Sequence, residues 1–304
     1  MNKLLSTVAF GAMLLASGAA FAADVAAPIV EDVATSAFSG TVEIGGLVRN
    51  SAEYDGDDLQ YRTTLGGAYA GFALSGNLDQ VRIGFDGYVE GVAFDEIADS
   101  NSLSPVGLGV FGAHLGTDLD NAYAGVFGAV GLYPDGSNDT IIGGYAAGVE
   151  GSVELDQVTL FGKLGYAFAP SEDYEAEDDD YEGFIGPFVE AGLVYALSDD
   201  LALLARAGFG TSADFDETDG PGSYVTVGAK LAYRLPTELN LNLVASYDAY
   251  RALMDGNDPD ETIEHTVKFG LSIPFGAGGT AAEALNPLAT SVAPFRAGYS
   301  SDAL

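Results

Sequence analysis

The sequence predicts an all-β fold in which residues 39–275 form one closed antiparallel transmembrane β-barrel of about twelve strands. Three observations support this class: apolar and polar residues alternate with period two, most predicted strands run 11 to 15 residues, and short turns alternate with longer loops. A bilayer-spanning barrel produces all three, because a tilted strand needs ~9–11 residues to cross and turns and loops collect at opposite rims.

The alternation is clearest in four segments of the chain. Apolar residues occupy every second position of Val81–Ala93, Val225–Leu235, Leu239–Tyr247 and Val267–Phe275, and polar or charged residues lie between them. Successive side chains of a strand point to opposite faces, so each segment has one apolar and one polar face. We expect the apolar faces to contact lipid and the polar faces to line the lumen.

Turn residues divide the chain into the individual elements. The predicted strands are 39–49, 60–74, 80–94, 106–116, 122–133, 141–154, 158–169, 184–197, 201–211, 223–235, 239–251 and 263–275. In the charge-free segments 106–116 and 122–133 the two faces cannot be told apart from the sequence. If two of the segments merged, the barrel would have ten strands.

Charge is concentrated in the longer connections. The six longer loops are predicted at 50–58, 95–105, 134–140, 170–183, 212–222 and 252–262. They hold 25 of the 45 acidic residues and no Lys or Arg. One rim of the barrel is therefore expected to form an acidic vestibule that attracts cations. A formal net charge of −34 also excludes nucleic acid as a partner, because few basic side chains are present to bind phosphates.

The first 22 residues have the features of an export signal. Lys3 precedes an apolar run, and Ala20-Phe21-Ala22 fits a small-x-small cleavage site, so we expect cleavage near Ala22. Residues 23–38 would then form a lead segment before the barrel. The chain contains no Cys, which excludes disulfides, thiol catalysis and Cys-ligated zinc.

Charged residues on the polar strand faces are the candidate functional residues. The predicted lumen-lining set is Glu43, Arg49, Arg62, Arg82, Asp86, Glu90, Glu150, Lys163, Glu190, Arg206, Lys230, Arg234, Asp248, Glu264 and Lys268. In an open pore such charges select solutes, whereas in a closed barrel they pair and fill the lumen. Closure of the barrel would bring Arg49 and Arg62 near Asp248 and Glu264 at the seam.

Metal binding and catalysis receive weaker support. The acidic loops offer oxygen ligands for Ca²⁺ or Mg²⁺, with Asp55, Asp57, Asp58, Asp178, Asp179 and Asp180 as candidates. Their spacing does not match a calcium-binding loop, and a solvated acidic rim is the favoured interpretation. The two histidines, His114 and His265, lack a Ser two residues later, the arrangement of outer-membrane phospholipases. We therefore predict no catalytic residue and no resident cofactor.

Together with the export signal and the alternating loops, the strand His265-Thr-Val-Lys-Phe-Gly-Leu-Ser-Ile-Pro-Phe275 resembles a Gram-negative outer-membrane β-barrel of the porin type. The resemblance implies a bacterial outer-membrane location, periplasmic turns, external loops and passive diffusion of small solutes or ions. It implies outer-membrane lipids and the barrel-assembly machinery as partners, the latter through an aromatic residue such as Phe275. The alternative is a structural or adhesive barrel with a closed, salt-bridge-filled lumen.

Residues 276–304 depart from that family, whose chains usually end on the last strand. This tail is rich in Ala, Gly, Ser and Pro, a composition typical of mobile extensions. We predict a flexible periplasmic tail. The alternative is that it folds back and plugs the lumen.

Overall fold

Twelve antiparallel strands close into one barrel. The computed structural model describes residues 38–56, 58–93, 106–134, 141–170, 183–212, 221–237, 240–254, 260–276 and 280–299. The predicted signal peptide at 1–22 lies outside these residues, as does the predicted lead segment at 23–38 except for Phe38. Most of the predicted acidic loops also lie outside them.

The sheet contains every predicted strand, which confirms the predicted fold class. The strands are β1 (Phe38–Asp55), β2 (Asp58–Leu78), β3 (Val81–Ala93), β4 (Val106–Leu119), β5 (Ala122–Pro134), β6 (Ile141–Leu155), β7 (Val158–Pro170), β8 (Gly183–Ser198), β9 (Leu201–Ser212), β10 (Gly222–Arg234), β11 (Asn242–Met254) and β12 (Asp260–Phe275). Each strand pairs with its sequence neighbours, and β1 pairs with β12 from Gly40 opposite Phe275 to Asp55 opposite Asp260. This last pairing leaves no free sheet edge.

The turn rim is the end of the barrel where short turns join the strands, and the loop rim is the opposite end. At the turn rim, residues 235–241 connect β10 to β11, and the other four turns have two residues each. Asp79, Asp120 and Asp156 each begin such a turn with a positive φ, between 51° and 57°. Tight hairpin turns require this left-handed conformation, and Asp adopts it more readily than most residues. These three Asp residues therefore have a conformational role.

The hairpin of β1 and β2 is longer than the sequence predicts. Residues 50–58 were predicted to be a loop, but β1 continues to Asp55 and β2 begins at Asp58. The Asn50 side-chain amide donates to the Thr63 carbonyl and the Thr64 hydroxyl, 3.0 Å from each. The prediction was wrong because polar residues were taken to end the strand, whereas cross-strand hydrogen bonds satisfy them here.

The two faces of the barrel differ in chemistry as the alternation predicts. Large apolar side chains such as Phe85, Leu164, Val227 and Phe269 are exposed on the outer face. The inner face carries the buried charges. The structure also assigns the faces of β4 and β5, which the sequence left open: Val110, His114, Tyr123, Phe127 and Ala129 are buried, and Leu115, Val126, Val130 and Leu132 are exposed.

Helical structure in the described residues is confined to the chain after the barrel. It consists of a 3₁₀ turn at Ala282–Ala284 and a short helix α1 at Ala293–Tyr299. No helix in the described ranges is long and apolar enough to span a bilayer.

Candidate functional site in the barrel lumen

The chain after β12 lies inside the barrel; we call residues 280–299 the lumen segment. Near the turn rim, the Ala281 amide donates to the Asp199 carbonyl at 2.9 Å. Further along, the Thr290 amide donates to Asp86 Oδ2 at 3.0 Å. Arg296 contacts residues in the loop-rim half of the wall, among them Glu90. The lumen segment therefore runs through the barrel from the turn rim toward the loop rim.

This course corrects the prediction of a flexible periplasmic tail. Most of the described part of the tail is buried or half-buried, and it contacts six strands of the wall: β3, β7, β8, β9, β10 and β12. The sequence reading took the small residues of the tail as a sign of mobility. Here small side chains such as Ala281, Ala293 and Ala297 let the backbone pack closely inside a narrow barrel.

Glycines in the wall make room for the lumen segment. A Cβ atom on Gly112 would lie 1.9 Å from Thr290 Oγ1, and one on Gly131 would lie 2.3 Å from Phe295 Cδ1. A Cβ on Gly144 would lie 3.1 Å from the same Phe295 atom. The shape of the wall and the shape of the segment are thus matched at these positions.

Apolar contacts hold the lumen segment at two levels. Close to the turn rim, Leu285 belongs to a buried cluster with Phe161, Val194 and Leu204. Higher in the barrel, Phe295 belongs to a second buried cluster. Its wall members are Leu108, Val110, Phe127, Ala129, Ala146, Ala167, Ala169, Phe184, Phe188, Tyr224, Tyr250 and Ala252. Burying a side chain the size of Phe295 stabilises the docked segment by about 1.5–3 kcal/mol.

Arg296, the only basic residue after β12, completes a buried charge cluster. Its Nη2 donates to Glu90 Oε1 at 2.9 Å, and its Nη1 lies 3.5 Å from Glu264 Oε2. Arg49 donates to the same Glu90 oxygen and lies 3.8 Å from Glu264 Oε2. The Tyr88 hydroxyl donates to Glu90 Oε2 at 2.6 Å. Two arginines therefore alternate with two carboxylates, as buried charges require.

His114 is the centre of a second polar cluster. Its Nε2 lies 2.6 Å from Asp86 Oδ2, and its Nδ1 lies 2.9 Å from Glu150 Oε1. Both ring nitrogens face carboxylates, and both can donate only when the imidazole is protonated. The Tyr123 hydroxyl donates to Glu150 Oε1 at 3.0 Å. Since Asp86 also accepts the Thr290 amide, this cluster joins the wall to the lumen segment.

Lys163 connects the second cluster to the backbone of the lumen segment. Its Nζ donates to the Leu288 carbonyl at 2.7 Å and to the Ala289 carbonyl at 2.5 Å. The same nitrogen lies 3.8 Å from Glu150 Oε2. Lys163 thus neutralises a wall carboxylate and holds the segment at once.

A third cluster surrounds Asp248. Its Oδ1 accepts a hydrogen bond from Arg206 Nη2 at 3.0 Å, and its Oδ2 lies 3.6 Å from Lys268 Nζ. Lys268 also lies 4.5 Å from the centre of the Tyr88 ring, a cation–π contact. A cavity of about 20 Å³ between these residues, Glu190 and the lumen segment has room for about one water molecule. The lumen segment narrows the lumen at this level.

Further pairs lie on the wall away from the lumen segment. Lys230 Nζ donates to Glu43 Oε2 at 2.5 Å, and Tyr69 donates to Glu43 Oε1 at 2.9 Å. Arg82 Nη1 lies 3.4 Å from Asp118 Oδ1 near the turn rim, where both side chains are partly exposed. The charges of these pairs neutralise each other without a contribution from the lumen segment.

The wall around the lumen segment carries more acids than bases among the described residues. Its acids are Asp86, Glu90, Glu150, Glu190, Asp248 and Glu264, and its bases are Arg49, Lys163, Arg206 and Lys268. Arg296 and a protonated His114 supply the two missing positive charges. The segment therefore fits the lumen in charge as well as in shape.

The structure places every residue of the predicted lumen-lining set except Arg62 on the inner face. Arg62 is exposed and shares its side of β2 with exposed Phe72, whereas Leu65 and Tyr69 face the lumen. The prediction assumed that charged residues of a strand face the lumen. This assumption was wrong for Arg62, which lies on the extended β1–β2 hairpin. Arg234 faces inward near the turn rim.

The predicted seam cluster forms only in part. Arg49 and Glu264 come together, but Asp248 pairs with Arg206 and Lys268 instead. Of the metal candidates, Asp57, Asp178, Asp179 and Asp180 lie outside the described residues. Asp55 and Asp58 are backbone partners at the β1–β2 turn. Within the described ranges, no group of three or more His, Asp or Glu side chains is arranged to hold a metal ion.

The sequence reading missed several residues of the lumen. Arg296 was predicted to lie outside the barrel, in the flexible tail. The one sequence feature that could have indicated its role is that it is a single base among small residues. His114 lies in the predicted strand 106–116, which contains no Asp, Glu, Lys or Arg. No charged residue therefore indicated which face of this strand lines the lumen. The hydroxyls of Tyr69, Tyr88 and Tyr123 bind lumen carboxylates, and none of the three belongs to the predicted lumen-lining set of charged residues.

An apolar outer belt, a charged inner face and complete closure define the protein as a transmembrane β-barrel. No family model and no curated protein sequence matches the chain. Among solved structures, it is similar to the translocator domain of the autotransporter NalP from Neisseria meningitidis, with 15% identity, a TM-score of 0.45 and coverage of 89% of this chain and 98% of that one.

Two channels are also similar in structure. The outer-membrane channel DcaP of Acinetobacter baumannii is 12% identical, with a TM-score of 0.35 and coverage of 79% of this chain and 99% of that one. The toluene transporter TodX of Pseudomonas putida is 9% identical, with a TM-score of 0.39 and coverage of 79% and 90%.

Proposed function

We propose that the protein is a bacterial outer-membrane channel of the porin type for small solutes or ions, closed in this conformation by the lumen segment. The apolar belt suits a lipid environment, and the charged inner face suits passage of polar solutes. Outer-membrane lipids are the proposed surroundings. Phe275, exposed at the end of β12, is the residue proposed to contact the barrel-assembly machinery.

The observation that carries the proposal is that the blocking element is separate from the wall. The backbone hydrogen bonds of the barrel run from strand to strand and close between β1 and β12 without the lumen segment. The segment is joined covalently to the wall only through the chain after Gly276. It can therefore leave the lumen without breaking the sheet, and the glycines behind it leave open space.

The open channel is proposed to favour cations. When the lumen segment leaves, Arg296 leaves with it, and the remaining wall holds more acids than bases. The predicted acidic loops at the loop rim act in the same direction, because they concentrate cations before solutes enter.

Conductance in planar bilayers tests this proposal with the full-length chain. Arg296→Ala should give more frequent discrete current steps than the wild type, and the reversal potential in a salt gradient should indicate a cation preference. The matched control is Arg251→Ala, which removes an exposed arginine bound to Glu261. It should behave like the wild type.

A second candidate function is a structural or adhesive barrel whose lumen stays closed. The small cavity and the dense ion pairing inside the wall favour it. If Arg296→Ala inserts as a folded, heat-modifiable barrel but passes no current, the channel proposal is wrong and this candidate replaces it. We propose no catalytic role, because both ring nitrogens of His114 already contact carboxylates.

A further inference from the structure

We infer that Glu90 and Glu264 form a guanidinium-binding site of the barrel, which Arg296 occupies as an internal ligand. The inference rests on the proposed channel function and names its substrate class: small solutes that carry a guanidinium group. The chain itself provides the example of such a group bound in the lumen.

The geometry of the contacts selects a guanidinium over an ammonium group. The two terminal nitrogens of Arg296 each approach a different carboxylate, at 2.9 Å from Glu90 and 3.5 Å from Glu264. These carboxylates come from β3 and β12, so the ligand must reach both sides at once. A planar fork of N–H donors does this, whereas an ammonium group is a compact point charge.

The wall holds the site ready for one positive charge. Arg49 donates to Glu90 and to Thr266 Oγ1, the latter at 3.2 Å, and Tyr88 donates to the second Glu90 oxygen. These contacts orient the carboxylate independently of Arg296. One base and two acids leave the site with a single negative charge, which a monovalent cation neutralises.

Glu264 gives independent support for a ligand at this position. It is only 6% exposed, and its Oε2 atom has no hydrogen-bond partner although both arginines lie within 4 Å. A buried carboxylate oxygen without a hydrogen bond is costly. Arg296 is tethered to α1, whereas a free guanidinium compound can move toward this oxygen and complete the bond.

Chemical rescue of the full-length Arg296→Ala variant tests the site. Methylguanidinium at about five times its dissociation constant should raise the thermal unfolding midpoint of the detergent-solubilised variant by about 2–4 °C. Methylammonium, of the same charge, should have a smaller effect. Arg251→Ala is the control, because it removes an arginine without emptying a buried site, and it should show no such difference.

A double variant separates the site from general salt effects. In Arg296→Ala/Glu264→Gln, the difference between methylguanidinium and methylammonium should disappear. Equal effects of the two cations on Arg296→Ala, or a difference that survives in the double variant, would overturn the inference. A folded Arg296→Ala barrel that binds methylguanidinium but passes no current would instead contradict the channel function alone.

The wild type provides a measurement that does not depend on any variant folding. Methylguanidinium should compete with Arg296 and speed up amide hydrogen exchange of residues 288–297, while methylammonium at the same concentration should not. Equal exchange with both cations would count against the site.

Discussion

Two arginines of this barrel bind carboxylates at similar distances in very different surroundings. On the outer face near the loop rim, Arg251 Nε and Nη2 lie 2.6 and 3.0 Å from the two oxygens of Glu261. Inside the barrel, Arg296 lies 2.9 Å from Glu90. The side chain of Arg251 is 53% exposed, and that of Arg296 is 6% exposed.

Burial, and not distance, decides how much each arginine contributes to the free energy of the folded state. Water screens the exposed pair, so losing it costs about 0–1 kcal/mol. Removing one partner of a buried ion pair leaves the other charge desolvated and unmatched. Arg296 therefore contributes strongly to docking of the lumen segment. Arg251 contributes little to docking or to the stability of the barrel.

The largest expected effect comes from Arg296→Ala. Loss of the guanidinium leaves Glu90 and Glu264 with only Arg49 to neutralise them, which should weaken docking of the lumen segment by about 3–5 kcal/mol. Amide exchange of residues 288–297 should then become faster by a factor of about 10² or more. Exchange rates equal to those of the wild type would contradict the role given to Arg296.

An intermediate effect is expected from Glu264→Gln. This variant keeps the size of the side chain but removes its charge, so Arg49 and Arg296 share the single carboxylate of Glu90. We expect docking to weaken by less than the about 3–5 kcal/mol of Arg296→Ala, because Glu264 is held to Arg296 by an ion-pair contact at 3.5 Å and not by a hydrogen bond. The same exchange measurement checks this, and an effect larger than that of Arg296→Ala would reverse the proposed order.

The smallest effect is expected from Arg251→Ala. The change in the free energy of unfolding should not exceed about 1 kcal/mol, and high salt should reduce it further. Exchange of the lumen segment should stay as in the wild type. If this variant loosened the segment as much as Arg296→Ala, burial could not explain the difference between the two arginines.

The barrel could be predicted from the sequence because strand periodicity reports directly on burial. Phe85 and Asp86 are adjacent, and the structure exposes the first on the outer face and buries the second inside. The same logic failed for Arg62 and for the end of β1, where side chains at a rim reach water from either face. Periodicity carries no information at such positions.

Docking of the lumen segment could be given only as the alternative to a flexible tail, because its sequence has no periodicity from which burial could be inferred. Ala293 and Ala297 pack by being small, and small residues are equally typical of mobile chains. Phe295 contacts Gly131, 164 positions earlier in the chain, and Arg296 binds Glu90, 206 positions earlier. Such contacts depend on the closed barrel, which composition alone does not describe.

The central claim, that the lumen segment closes the channel, is tested most directly by a reversible lock. A Cβ built on Gly112 lies 3.1 Å from Thr290 Cβ, slightly closer than the ~3.5–4.5 Å of a relaxed disulfide, and the chain has no other Cys. In Gly112→Cys/Thr290→Cys, single-channel steps should occur under reducing conditions and vanish on oxidation, while Gly112→Cys alone should not respond. Steps of equal size and frequency in both states would contradict the claim.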